Sequence, residues 1–394
     1  MKELNDYCDV ITCGVAKRPE YVKKGIPFLS SKNVKEDRFI LDHYNYVSKE
    51  DYLTLTKHNK PEIGDVLYTR VGSFGEAAVV NLDFDFAIFV SLTLIKPKKN
   101  ILDARYLMYY LNSPRIRDLA NKSTSGIGVQ NLNVNAVRKF PICIKPLTEQ
   151  KAIAEKLDKA QEIIRYNEEI IAQCDALTQS LFIDMFGDPV KNEKGWEKKT
   201  LECFAKKEKN AIVDGPFGSS IKESDYIENG IPIIRINNIR NDAFFDDEYK
   251  YLSETKYNEL IRSKVNFEDI IIARVGNTIG KACIFKQHFK ALLSTTGVCK
   301  ISINQDNYNL EFIFKQITFP TFKNYIISNV QGAGQPYLNL SKIKNFELIN
   351  PPIALQNQFA ERVAAIEAQK QLAQESLVKS QELFGSLLQQ SFNN

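Results

Sequence analysis

The chain carries nearly the same pattern twice, about 205 residues apart. Gly25-Ile26-Pro27-Phe28-Leu29 returns as Gly230-Ile231-Pro232-Ile233-Ile234. Asp65-Val66-Leu67-Tyr68-Thr69-Arg70-Val71-Gly72 returns as Asp269-Ile270-Ile271-Ile272-Ala273-Arg274-Val275-Gly276. Gly126-Ile127-Gly128 with Leu132-Asn133 returns as Gly332-Ala333-Gly334 with Leu338-Asn339. Each copy ends in a proline, a hydrophobic residue and a glutamine (Pro146, Leu147, Gln150; Pro352, Ile353, Gln356), followed by about 40 residues of helical pattern. Two long copies make a pseudo-dimer within one chain, whereas many short ones would make a solenoid. A pseudo-dimer suits a partner that itself has two halves.

The helical stretches follow a heptad rule. Ile153, Leu157, Ala160, Ile164, Asn167, Ile171, Cys174, Thr178, Leu181 and Met185 are spaced 4, 3, 4, 3 throughout, the signature of a packing seam. The second stretch repeats it with Phe359, Val363, Ile366, Lys370, Ala373, Leu377, Ser380, Phe384, Leu387 and Ser391. At 1.5 Å per residue each helix extends about 50 Å, and neither can bury its stripe alone. Packing one against the other, antiparallel, is the economical solution; a dimer between two chains is the alternative. The residues expected to carry the packing are Ile153, Leu157, Ile164, Ile171 and Leu181 with Phe359, Val363, Ile366, Leu377 and Leu387.

Charge separates the repeats from these helices. Residues 1–146 carry a balance of +6 and residues 187–352 one of +3, while 147–186 and 353–394 carry −4 and −1. Basic domains suit a polyanion, and also fit an ordinary solvated surface. The seven cysteines are scattered without a CxxC pair, and His43, His58 and His288 lie far apart. That favours reduced thiols and argues against a metal site or histidine-based catalysis. No apolar run approaches the roughly 18 residues of a membrane span, and the first residues show no signal-peptide core.

Within each repeat, short β-rich runs alternate with turns: Phe28–Val34, Val66–Arg70, Ala77–Val80 and Ile88–Ile95, then Ile233–Ile239, Ile270–Arg274, Ala282–Phe285 and Gly297–Ile303. Ala104–Asn112 and Pro114–Ala120 read as short helices. The second copy has an insertion at Asp214-Gly215-Pro216-Phe217-Gly218-Ser219-Ser220. The first long helix stops at Gly187-Asp188-Pro189, since glycine suits the cap and proline cannot continue a helix. The polar stretch after it, within 187–199, reads as a linker. The fold class is α+β, with two pseudo-repeated mixed domains joined by two long helices.

Catalytic motifs fail on inspection. Asn350-Pro351-Pro352-Ile353 resembles the adenine methyltransferase tetrapeptide, but its fourth residue is not aromatic and no glycine-rich cofactor loop precedes it. Gly276-Asn277-Thr278-Ile279-Gly280-Lys281-Ala282 is one residue short of a phosphate loop and lacks the magnesium-binding Ser/Thr. Binding residues are better represented. Arg70 and Arg274, just before matched glycines, suit either a structural salt bridge or a phosphate contact. Amide, hydroxyl and basic side chains surround the repeated glycines and the Gly-Ile-Pro segments: Lys32, Asn33, Ser73, Ser125, Gln130 and Asn131 in the first copy, and Arg235, Asn237, Asn238, Asn277, Gln331, Gln335 and Tyr337 in the second. Such groups pair with base edges and phosphates, and loops also use them for turn chemistry.

In combination these features resemble the specificity subunit of Type I restriction-modification systems, over essentially the whole chain. The carrying motifs are Gly-Ile-Pro followed by Asn33-Val34 or Asn238-Ile239, the segments 65–72 and 269–276, the Pro-Leu/Ile-x-x-Gln helix entries, and Leu181-Phe182-Ile183-Asp184-Met185-Phe186-Gly187-Asp188-Pro189 before Gly195-Trp196. The resemblance implies a cytoplasmic, non-enzymatic subunit. Two target recognition domains, 1–146 and 187–352, would each read one half of a bipartite site in double-stranded DNA. Spacer helices, 147–186 and 353–394, would pair as an antiparallel coiled coil, set the spacing and dock two modification subunits. Those subunits methylate adenine with S-adenosylmethionine. Restriction subunits, using ATP and Mg2+, are an optional further partner. No cofactor or metal is expected on this chain. The first domain begins almost at Met1, without the helical extension of some members, which bears on how the first modification subunit docks. The competing readings are a lone adenine methyltransferase and a coiled-coil scaffold with no role on DNA.

Overall fold

The computed structural model describes residues 2–15, 18–57, 59–125, 130–240, 242–330 and 336–392, with only the main chain of Ser125. It divides into two compact units, Met1–Glu169 with Ala373–Asn394, and Ile170–Leu372. Both are mixtures of helix and sheet.

The first unit is built on an antiparallel sheet of four strands in the order Cys8–Cys13, Leu92–Pro97, Val66–Thr69, Ala77–Val79. The second unit repeats it with Ile212–Asp214, Val298–Ile301, Ile270–Ala273 and Ala282–Ile284. The central strands are buried on both faces, which is why they read as continuous apolar runs rather than alternating ones. A second, smaller sheet sets Ile26–Leu29 between Asn45–Val47 and Ala87–Ile88. In the second unit Ile231–Ile234 is the centre of a five-stranded version, widened by Tyr226–Ile227 and Lys264–Val265. Tyr226–Ile227 follows the insertion at 214–220, which itself folds into a 3-10 turn at Gly218–Ser220.

Two predicted strands prove discontinuous. Phe28–Val34 ends as a strand at Leu29 and turns through Ser31–Asn33. Ile88–Ile95 breaks because Ile88 closes the small sheet while Leu92 opens the large one, with a turn between them (Leu92 N to Phe89 O, 3.0 Å). The chain crosses from one sheet to the other inside a single hydrophobic run.

The aspartates that open the repeated segments are structural. Asp65 Oδ2 accepts from Glu62 N at 2.8 Å and from Lys96 Nζ at 2.7 Å. Asp269 Oδ2 accepts from Asn266 N at 2.7 Å and from the buried Lys300 Nζ at 2.9 Å. Each charge meets its partner on the neighbouring strand, which makes its burial tolerable.

The long helices are α1, Leu147–Phe186, and α2, Ile353–Phe392. Each unit contains part of both. In the first, Leu388 and Phe392 share a core with Leu157 and with Ala104–Asn112; the Phe392 ring lies 5.1 Å from Tyr106 and 5.8 Å from Tyr110. In the second, Phe182, Phe186, Phe312 and Phe359 form a cluster with ring centroids 4.8–6.2 Å apart. Burying a phenylalanine contributes about 1.5–3 kcal/mol, so each helix end is anchored to its unit. Leu157, Ile164, Phe359 and Val363 are buried, and Ile153, Ile171, Leu181, Ile366, Leu377 and Leu387 half-buried. The polar members of the seam find local partners: Asn167 Nδ2 donates to Ile163 O at 2.9 Å, and Lys370 pairs with Asp175.

The glutamines at the helix entries are buried staples. Gln150 accepts from Asp103 N and donates to the carbonyls of Ile101 and Lys145; Gln356 accepts from Asn309 N and donates to Pro351 O. The segment after α1 is more ordered than a linker. Gly187 takes a φ of 77°, Asp188 Oδ1 accepts from Val190 N and Lys191 N, and Trp196 Nε1 donates to Phe186 O at 2.9 Å. A polar sequence here forms a pinned turn, because its side chains satisfy its own main chain. Among the described residues, no helix is long and apolar enough to cross a membrane.

Candidate nucleic-acid interface

At one end of each large sheet three segments converge on a buried arginine. In the first unit Arg70 follows the central strand. Its N donates to Ser91 O, and its O accepts from Leu132 N at 2.8 Å. Its Nε donates to Leu132 O at 2.9 Å, Nη1 to Val90 O at 3.1 Å and Nη2 to Asn131 Oδ1 at 3.0 Å. Arg274 repeats this: N to Gly297 O, Leu338 N to its O, Nε to Leu338 O at 2.9 Å, Nη1 to Thr296 O at 3.1 Å and Nη2 to Tyr337 Oη at 2.6 Å. Arg274 also holds Asp214 at 2.9 Å, and Asp214 is bound in turn by Arg262 at 2.6 Å.

The third segment carries the Asn33 and Asn238 turns. Ser91, whose main chain meets Arg70, also accepts from Ser31 N through its Oγ at 2.9 Å. In the second unit a Cβ added at Gly297 would lie 3.3 Å from Ile236, so that turn packs equally close. Gly72 and Gly276 turn the chain just after the arginines with φ of 80° and 63°, a region that favours glycine.

This geometry corrects four candidate contacts. Arg70 is 9% exposed and Arg274 fully buried, and Nε, Nη1 and Nη2 of each are bonded to carbonyls and side chains of their own unit. They are internal clamps, not phosphate contacts. Asn33 and Asn238 are buried as well. Asn33 Oδ1 accepts from Ser30 N, and its Nδ2 donates to Ile40 O and His43 O; Asn238 does the same with Arg235 N, Phe245 O and Asp247 O. Each asparagine shapes its turn from inside the unit. Arg235 is half-buried and donates to Glu248 O.

The remaining candidates face outward. Lys32, Ser73, Gln130 and Asn131 are exposed in the first unit, and Asn237, Asn277 and Tyr337 in the second. Lys32, Ser73 and Asn131 are adjacent to the Arg70 clamp, and Asn237, Asn277 and Tyr337 occupy the matching places around Arg274. Gln331, Gln335 and the Ser125 side chain lie outside the described residues. Asp214 and the 69% exposed Phe217, three residues along the insertion, are absent from the sequence-based candidates. The signal for them was present: an insertion in one copy only, with a glycine on either side of the aromatic.

Among the described residues no cluster of His, Cys, Asp or Glu could hold a metal ion. Burial pushes the Cys8 and Cys299 thiols up to about 12, which keeps them protonated and poor nucleophiles.

The comparisons agree with a recognition module. The family model for the Type I restriction modification DNA specificity domain matches residues 1–175 and again 193–379, so the chain belongs to that family, whose members are recognition rather than catalytic subunits. It is 24% identical over 288 residues to the Type I restriction enzyme MjaVIII specificity subunit of Methanocaldococcus jannaschii, covering 71% of this chain and 67% of the relative. It is 22% identical over 359 residues to the EcoKI specificity subunit of Escherichia coli K12, covering 86% and 74%. The crystal structure of the Type I restriction-modification S subunit from M. genitalium aligns with a TM-score of 0.59 over 99% of this chain and 95% of that one, at 16% identity, a likeness of fold.

Proposed function

We propose that this chain is the DNA-recognition subunit of a Type I restriction-modification complex, each unit reading one half of a bipartite site. The carrying observation is the doubled surface. One buried scaffold, built on Arg70 and Asn33 or Arg274 and Asn238, presents Lys32, Ser73 and Asn131 in one unit and Asn237, Asn277 and Tyr337 in the other. The same scaffold with different outward residues suits two different short sequences. Helices α1 and α2 pair as an antiparallel coiled coil, set the spacing between half-sites and dock two modification subunits. S-adenosylmethionine, and the ATP and Mg2+ of any restriction subunit, belong to those partners, and the complex works in the cytoplasm.

The test is binding of the chain, assembled with its modification subunit, to double-stranded DNA across a salt series. Phosphate contacts release counterions, so affinity should fall steeply and log-linearly with salt, with a residual preference for one bipartite site. Affinity indifferent to both salt and sequence would support a scaffold instead.

A further inference from the structure

A guanidinium group donates hydrogen bonds and accepts none. Every atom bonded to Arg70 or Arg274 must therefore be an acceptor, and this orients the residue at the end of each clamp. Two arms do the same work in both units: Nε meets the carbonyl of Leu132 or Leu338, and Nη1 that of Val90 or Thr296. The third arm differs. Nη2 meets Asn131 Oδ1 in the first unit and Tyr337 Oη in the second. With its oxygen turned to Arg70, the Asn131 amide directs its NH2 the other way. With its oxygen accepting from Arg274, the Tyr337 hydroxyl keeps its proton to donate. Asn131 is exposed and Tyr337 is 37% exposed.

We infer that positions 131 and 337 are specificity-determining, each held as a hydrogen-bond donor to an acceptor atom on a base edge, with Arg70 and Arg274 as positioning residues. The inference rests on the DNA-reading function above. The acceptors available in the major groove are purine N7, guanine O6 and thymine O4; the amino groups of adenine and cytosine are donors and do not match. Phosphate oxygens would also accept, but a phosphate contact carries no sequence information.

The test uses the full chain with its modification subunit, methylation mapping, and competition binding against sites changed one base pair at a time. Asn131→Asp keeps an acceptor for Arg70, so the clamp survives, and removes the donor. It should cut discrimination at one base pair of one half-site about tenfold, or turn it toward a base with an amino group. The other half-site should be untouched. Tyr337→Phe keeps the ring but removes both the donor and the acceptor of Arg274 Nη2, and should lower discrimination at one base pair of the opposite half-site. Unchanged discrimination in Asn131→Asp, or a uniform loss over all sequences, overturns the inference while leaving the DNA-reading function standing. Absence of sequence-specific methylation by the unaltered complex would sink that function, and the inference with it.

Discussion

Replacing Arg274 with alanine is expected to destabilise the second unit by about 3–5 kcal/mol, the range for breaking a buried charged pair. The guanidinium is fully buried and serves two main-chain carbonyls, the Asp214 carboxylate and the Tyr337 hydroxyl. Its removal leaves the carbonyls of Leu338 and Thr296 without these donors and opens a cavity. For a unit of this size the midpoint of thermal unfolding should drop by about 10 °C. Arg70→Ala should cost the first unit less, about 2 kcal/mol, because that clamp bonds neutral oxygens only. Calorimetry of the two variants checks both values. Equal small losses would mean that these arginines are surface residues in solution and that their phosphate role should be reinstated.

The second large effect concerns the helices. Removing one heptad from each, around Asn167 and Ala373, preserves the 4-3 seam while withdrawing about 10 Å of helix. At roughly 3.4 Å per base pair, the gap between the methylated half-sites should shrink by about three base pairs, with both half-sites unchanged. Deleting three residues from α1 alone takes the seam out of register and should abolish sequence-specific methylation. Methylation mapping reads both outcomes. An unchanged gap after the paired deletion would show that something other than the helices sets it.

The long helices were legible in the sequence because their period is written directly in the spacing of Ile153 through Met185 and Phe359 through Ser391. Their extents in the structure, Leu147–Phe186 and Ile353–Phe392, follow that pattern. Phe182, Phe186 and Phe392 lie outside the heptad positions, because at these ends the helices pack into the cores of the units and are buried over a wider face. The strand runs were legible in composition but not in sheet membership, which turns at Phe89 and Ser31 decide. The most instructive positions are Arg70 and Arg274, whose sequence context leaves a structural and a phosphate role open, and Asn33 and Asn238, which read as binding candidates. A basic or amide residue beside a glycine turn looks the same whether it faces solvent or the interior. The duplication held the discriminating signal. Positions identical in both copies, these four with Gln150 and Gln356, serve the scaffold, while Lys32 against Asn237, Ser73 against Asn277 and Asn131 against Tyr337 differ where the surface faces outward.

Separate reading of DNA by the two units is tested by one exchange. Residues 200–345 are replaced by the matching region of another specificity subunit, the chimaera is assembled with its modification subunit, and methylated adenines are mapped. One half of the recognised sequence should change while the other half and the gap between them stay fixed. A change in both halves together would contradict it, because the units would then have to read the site jointly.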